Sequence, residues 1–481
     1  MSQTYLVYDT ETSGLNPCFD QILQFASIKT DLAFNPIPAG ETDFRLKLRP
    51  DVIPSPGALL TTQMEMSDIL QGVSEYEGIQ RIHDLCNTPD TISFGYNSLS
   101  FDDRMLRFAF HRNLLDPYTH QYRNGCKRLD LLPITLLYYL FRPSVLNWPE
   151  VDGKPKFKLE LLNKENDLAT GMAHDALVDV RVTIALAQRL IENGGMQMWN
   201  YCLNFFDPNW VVEQIGQQEP LITVGQTAIY PDILLVYSQF GAKRNFQKHA
   251  LLFEYPIEKQ KRVDWLLLDS KDLSRVRQLK NFPFQMGKKL GEPPLVLPYK
   301  QQRDKRTAEK QALSTKNVAW LRNNPHVLAD LASYIAEADR YEDKDRSQID
   351  ADAALYFIDF ASDRDKRIIK RFHRADPYEK QQLITQINNP ARQELAMRIM
   401  GRNFTAETLD SATQHQWERY LTGIAPIVGE KPLVDYQNRL KTTPLAAVAE
   451  IQSRRAADDL SPKEQQILNG LEIYLRDTFG L

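Results

Sequence analysis

Residues 5–14 read Tyr5-Leu6-Val7-Tyr8-Asp9-Thr10-Glu11-Thr12-Ser13-Gly14. An apolar strand runs here into charge. Asp9 and Glu11 lie two residues apart at its end, so a period-two backbone puts both carboxylates on one face. Such a pair repels unless a proton or a cation intervenes. A hard divalent ion, Mg²⁺ or Mn²⁺, suits these oxygen donors. The small polar residues Thr10, Thr12, Ser13 and Gly14 leave room for a sugar-phosphate end. Read alone, Asp-x-Glu is ordinarily a polar turn after an edge strand.

Outward from this strand the pattern alternates. Ile22–Thr30, Phe44–Leu48 and Thr91–Tyr96 read as strands, and Ser74–Leu85, Asp102–Phe110 and Asp130–Leu140 as helices. Asp175–Ile191 is a long amphipathic helix, stopped by Asn193-Gly194-Gly195. This is an α/β layout. Past Gly195 come β-rich runs at Asp232–Tyr237 and Val263–Leu268, with turn signals at Tyr255-Pro256 and Gly291–Pro294. The composition turns helical from Asn317. A charged stretch, Glu337–Asp352, reads as a linker or an exposed helix end, and Ala353–Leu481 is helical almost throughout. The reading gives three domains: 1–195, 196–348 (β-rich, with flanking helices) and 349–481 (all-α).

The chain has 481 residues, 43% hydrophobic and 25% charged, with a formal net charge of −4. That balance argues against coating duplex DNA through bulk positive charge, but it leaves room for a local groove holding one strand. Four scattered cysteines, Cys18, Cys86, Cys126 and Cys202, read as reduced thiols rather than a disulfide framework. The N-terminus lacks the pattern of a secretory signal. The longest apolar run, Leu131–Phe141, falls short of the ~20 residues a bilayer needs. A soluble, cytoplasmic protein with no membrane association is expected.

Two further motifs carry carboxylates. Asn97-Ser98-Leu99-Ser100-Phe101-Asp102-Asp103 joins a strand to a helix, and Asp102 alone also reads as an N-cap. His174-Asp175-Ala176-Leu177-Val178-Asp179 opens the long helix, with Asp175 and Asp179 on one face at i, i+4. Capping and an exposed acidic face account for these residues taken singly. Taken together and in this order, the three motifs resemble the histidine-bearing branch of the DEDD exonuclease superfamily. The Asn-x-x-x-Phe-Asp spacing here is one residue longer than in many members.

The resemblance extends to the bacterial exonuclease I family. Gly95-Tyr96-Asn97, Arg112-Asn113, Asp116-Pro117-Tyr118, Asp130-Leu131-Leu132, Arg142-Pro143, Asn147-Trp148-Pro149-Glu150, Ala173-His174-Asp175-Ala176 and Asn323-Asn324-Pro325 are similar to segments of that family, as is the chain length. The resemblance implies a ribonuclease H-like exonuclease domain, an SH3-like β domain and a helical C-terminal domain. It implies removal of 5′-mononucleotides from the 3′ end of single-stranded DNA, in DNA repair and recombination. Two metals ~4 Å apart would activate water and stabilise the leaving oxygen. Asp9, Glu11, Asp102 and Asp179 would be the ligands and His174 the general base. Thr10, Glu11, Asn97, Phe101 and Lys158 would touch the substrate. Lys158 stands where the family has an arginine, so charge is kept and the bidentate fork is lost.

Aromatic residues Phe101, Phe110, Tyr118, Tyr122 and Trp148 are candidates for stacking on bases, with core packing as the plainer reading of each. Lys300, Arg303, Lys305 and Arg306 are candidates for tracking phosphates, or simply a solvated loop. The resemblance also implies a partner, the acidic C-terminal tail of the single-strand DNA-binding protein, met by Arg142, and a monomeric enzyme. The alternatives are an exoribonuclease with the same catalytic set and a non-catalytic single-strand-binding scaffold.

Overall fold

The computed structural model describes residues 3–171, 175–214, 349–405, 407–425, 433–457 and 459–481. Between 215 and 348 it describes 221–224, 229–240, 246–248, 262–267, 272–275, 284–289, 291–293, 295–298 and 308–327. The chain packs as two units. The first comprises Met1–Arg128, Ala169–Ile184 and Asp345–Leu481, the second Leu129–Leu168 and Ala185–Lys344.

In the first unit, β1 (Thr4–Thr12) pairs antiparallel with β2 (Ile22–Thr30), and β2 pairs antiparallel with β3 (Pro36–Arg45). Three helices follow: α1 (Pro56–Thr62), α2 (Met66–Ile69) and α3 (Glu75–Cys86). They carry the chain over to β4 (Thr91–Gly95), which lies parallel to β1, as a parallel pair requires of its connection. After α4 (Asp102–Arg112), β5 (Lys127–Asp130) completes the sheet order β3-β2-β1-β4-β5. The acidic strand is therefore central. Asp9 and Glu11 lie within β1, opposite Ala26 and Gln24, rather than in a turn after an edge strand.

The expected strand at Phe44–Leu48 is displaced. β3 ends at Arg45; Leu46 then bonds Leu23, and Leu48 N donates to Ile69 O. The alternation there serves the exit from the edge strand toward α2.

Leu6, Tyr8, Ile22 and Phe25 from the sheet bury against Ile79 and Ile82 of α3 and Met105, Leu106, Ala109 and Phe110 of α4. Residues 349–481 belong to the same unit. Among the described residues, four of their helices begin with a capping side chain followed by proline: Asp376-Pro377, Asn389-Pro390, Thr443-Pro444 and Ser461-Pro462. Proline at the first helical position gives up an N–H that has no intrahelical partner anyway. Ile451, Ile467, Leu468, Leu471 and Leu475 from this region pack with Leu23, Leu48, Leu59 and Met66 in one core cluster.

A buried ionic cluster joins the same parts. Arg402 bonds Asp51 (2.7 Å) and Asp352 (2.5 Å), and Arg49 bonds Asp51 (3.0 Å) and Glu75 (2.8 Å). Burial pushes the Asp51 and Asp352 carboxyls up, but the arginines outweigh it and hold both well below the usual range.

In the second unit, α5 (Leu131–Phe141) is apolar nearly all round and largely buried, and Asp130 caps it by accepting from Leu132 N at 3.0 Å. The hairpin Glu150–Val151/Lys154–Pro155 turns through Asp152 and Gly153, both at positive φ, the backbone that a tight two-residue turn requires. A six-stranded sheet runs Phe284–Lys289, Arg262–Leu267, Ile229–Phe240, Leu221–Val224, Leu295–Pro298, with Phe246–Lys248 added on Ile229–Phe240.

Candidate active site

Period-two geometry sends the Asp9 and Glu11 side chains to the same side of β1. Asp179 reaches them from α6 (Ala176–Gly194). Asp175 precedes that helix and caps it, its Oδ1 accepting from Leu177 N at 3.0 Å. Ligand oxygens of Asp9, Glu11 and Asp179 all lie within 4.8 Å of one another. Three carboxylates this close form an all-oxygen, strongly negative donor set, which fits a hard divalent cation.

Asp102 borders this triplet. It is not the N-cap of α4; that position is Phe101, and Asp102 is the first helical residue. Its carboxylate is buried and accepts from Thr10 Oγ1. Thr10 points to the opposite side of β1 from Asp9 and Glu11, so one strand carries both the acidic pair and the hydroxyl that fixes the fourth carboxylate.

The electrostatics follow from this crowding. Burial, then Asp102, Glu11 and Asp179, push the Asp9 carboxyl well above its ordinary value. Glu11 is pushed up to about 9 by burial, then by Asp179, Asp102 and Asp175. Burial raises Asp102 to about 7 against the lowering hydrogen bond from Thr10. A dication among these groups would offset both the burial cost and the mutual repulsion of the charged carboxylates.

The structure locates the other expected residues as follows. Asn97 holds a left-handed backbone, φ 62°, and its Oδ1 accepts from Ser100 Oγ at 2.6 Å. Phe101 is half-buried against the α3–α4 core. Lys158 and Arg142 belong to the second unit. Lys158 is exposed, with Nζ 3.3 Å from Glu160 Oε1. Arg142 is exposed just after α5 and bonds Phe141 O at 2.9 Å. His174, Lys300, Arg303, Lys305 and Arg306 lie outside the described residues.

Among the stacking candidates, Phe110 is core and Trp148 packs on Tyr139 and Phe157 while donating to Pro143 O. Tyr118 meets Phe360 edge-on, and Tyr122 is 69% exposed.

One site neighbour went unread in the sequence. Asp103, next to Asp102, is buried and bonds His120 Nε2 (3.0 Å), Arg107 Nε (3.0 Å) and Arg128 NH1 (2.6 Å). Burial pushes its carboxyl up, but Arg128 and Arg107 outweigh this and hold it well below the carboxylate range. It ties the first turn of α4, and with it Asp102, to β5. The doubled aspartate was the signal; its partners are too far along the chain to be paired by inspection.

Comparison with known proteins bears on this geometry. The exonuclease family profile matches residues 6–187, and the exonuclease I C-terminal domain profile matches 349–478. Exodeoxyribonuclease I of Escherichia coli K12 is 30% identical over 441 residues, covering 86% of this chain and 88% of that one. The chain belongs to the exonuclease I family. The Haemophilus influenzae exodeoxyribonuclease I is 37% identical over 229 residues, 46% of this chain and 47% of that one. Among solved structures, E. coli exonuclease I in complex with a dA16 oligonucleotide aligns with TM-score 0.78 at 26% identity, over 99% of this chain and 100% of that one. The exonuclease I of Methylocaldum szegediense aligns with TM-score 0.77 at 27% identity, over 99% of each. As a member of the exonuclease I family, the chain is a nuclease, a hydrolase of phosphodiester bonds. No described helix is long and apolar enough to cross a membrane.

Proposed function

We propose that this chain removes nucleotides from the 3′ end of single-stranded DNA and releases 5′-mononucleotides. The observation that carries the reading is the meeting of Asp9, Glu11 and Asp179 oxygens within 4.8 Å, beside Asp102. The relatives named exodeoxyribonuclease I and the E. coli enzyme's complex with dA16 support the choice of DNA as substrate.

Asp9, Glu11, Asp102 and Asp179 would hold two divalent cations, Mg²⁺ with Mn²⁺ able to substitute. These would ease proton loss from water and offset the charge that gathers on the phosphate. His174 would take the proton from the attacking water through an imidazole nitrogen, a task for which its ordinary pKa near ~6.5 is suited. Thr10 is committed to Asp102, so its part is to fix that carboxylate. Asn97, Phe101 and Lys158 would border the terminal nucleotide. Lys158 supplies one point charge to a phosphate, where an arginine would supply a fork. Arg142, exposed and basic, would meet the acidic tail of the single-strand DNA-binding protein. The enzyme would act as a monomer in the cytoplasm, in repair and recombination.

The test is digestion of 5′-labelled single-stranded DNA with Mg²⁺, beside RNA of the same sequence, blunt duplex and an Asp9→Ala variant. A ladder shrinking from the 3′ end on single-stranded DNA only, lost with EDTA and in the variant, is the expected result. Equal digestion of RNA would move the assignment to a broader nuclease. Tight DNA binding without cleavage in either metal would make the chain a scaffold.

A further inference from the structure

The loop after the acidic strand is gripped from far along the chain. β1 and β2 are joined by residues 13–21, closed at the base by Ser13 N donating to Gln21 O (2.9 Å) and Gln21 N donating to Ser13 Oγ (2.9 Å). The ladder shifts register between Glu11 and Thr12, since Glu11 faces Gln24 and Thr12 faces Ile22. A bulge of this kind re-aims the side chain beside it. The direction of the Glu11 carboxylate therefore depends on how this loop closes.

Two devices fix the loop from outside. Arg112, at the end of α4, is fully buried and donates to three of its carbonyls, Pro17 O (2.8 Å), Cys18 O (3.2 Å) and Asp20 O (3.0 Å). The second is a small hairpin, residues 433–441, closed by Lys441 N donating to Leu433 O (2.7 Å) and Asp435 N donating to Arg439 O (2.9 Å). Asp435 is fully buried. Its Oδ1 accepts from Gln437 N and Arg439 N, and its Oδ2 from Arg439 Nε (2.7 Å) and from Asn16 Nδ2 (3.2 Å). Arg439 NH2 in turn donates to Asn16 Oδ1 (3.2 Å). Both polar atoms of the Asn16 amide are thus held by the hairpin. Lys441 lies over the Phe19 ring at 5.3 Å.

We propose that the 433–441 hairpin is a latch that positions the active site: Asp435 and Arg439 hold Asn16, and through residues 13–21 set the bulge that aims Glu11. On the nuclease reading above, Asn16, Asp435 and Arg439 are positioning residues, since none touches the carboxylate triplet. Breaking the latch leaves the core shared by residues 23–66 and 447–475 in place but lets the Glu11 oxygens wander relative to Asp9 and Asp179.

The test uses the full chain with Asn16→Ala, Arg439→Ala, the double variant and Arg439→Lys. Arg439 is partly exposed, so its loss leaves the fold standing, and the thermal midpoint should move by no more than about 3 °C. Each single variant should lose about tenfold in kcat, the scale seen when an outer support of a metal site is removed. KM for a long oligonucleotide should stay put, and the double variant should lose no more than either single. Arg439→Lys should recover part of the loss. Without DNA, calorimetric Mn²⁺ affinity should fall by a similar factor.

Unchanged kcat and Mn²⁺ affinity in the double variant, additive losses, or a change confined to KM would overturn the latch. If the wild type binds Mn²⁺ but cuts no DNA, the nuclease reading fails instead, and the Mn²⁺ titrations alone decide the latch.

Discussion

Replacing Glu11 by Gln should make the metal-free protein more stable while removing its activity. Glu11 stands at about 9 in the folded chain against an ordinary 4.5. For a raised pKa, the stability is fully present below the unfolded value and is lost as pH rises through the folded one. At pH 7 the folded chain still holds the proton and the unfolded chain has shed it. The mismatch covers about 2.5 pH units at ~1.4 kcal/mol each, so roughly 3 kcal/mol opposes folding at neutral pH. Gln keeps the shape and carries no such proton. In EDTA the variant should gain about 3 kcal/mol at pH 7 and almost nothing near pH 4.5. Saturating Mg²⁺ should reverse the order, because the wild type then gains a ligand that binds only the folded state. Urea unfolding of both proteins at pH 5, 6 and 7, with EDTA and then with Mg²⁺, reads all of this. Equal stabilities at pH 7 in EDTA, or a gain that does not shrink toward pH 5, would refute the picture of carboxylates crowded into conflict.

Acid should act elsewhere through His111, whose Nε2 meets Ala351 O at 2.9 Å and which burial pushes down to about 4. Its folded pKa is depressed, so stability present above ~6.5 is lost as pH falls toward 4, by about 3 kcal/mol in all; His111→Gln should flatten that part of the urea-midpoint profile. Arg402→Leu leaves Asp51 and Asp352 short of a buried partner and should lower unfolding free energy by about 3–5 kcal/mol, measured by the same titration. Gly14→Ala places a Cβ 2.5 Å from Asp20 Oδ2, where the buried carboxylate has little room to give. A loss of about 1–3 kcal/mol is expected, visible as a lowered melting midpoint.

The acidic strand was legible because its chemistry is local. Two carboxylates at period two need no partner to be noticed, and the order of the three motifs carried the family resemblance that the comparisons bear out. Capping was read less surely: Asp175 does cap its helix, but Asp102 is the first helical residue and Phe101 holds the cap position. What stayed hidden depends on burial and on distance along the chain. Nothing in Tyr5–Thr12 says that the strand is central, because that follows from β2 and β4 flanking it. Asp103 reads as one more acid in a motif until Arg128 and His120 are placed around it. Asn16 and Asp435 stand 419 residues apart, and no local pattern joins them. Phe44–Leu48 misled because alternation marks a half-buried surface, and an edge strand leaving its sheet offers one too.

The shared core of residues 23–66 and 447–475 has a consequence for how the protein is made. Leu23, Leu48, Leu59 and Met66 are translated early, yet the side chains that cover them come from Ile451, Ile467, Leu468, Leu471 and Leu475. At ribosomal speeds of roughly 5–20 residues per second, the first group waits about 20–80 s for the second. During that interval the apolar side chains of Leu23, Leu48, Leu59 and Met66 stand open, the kind of exposed surface that makes a folding intermediate prone to aggregate. A message cut short before residue 433 yields Leu23, Leu48, Leu59 and Met66 without the side chains that cover them, and residues 13–21 without the hairpin that holds Asn16.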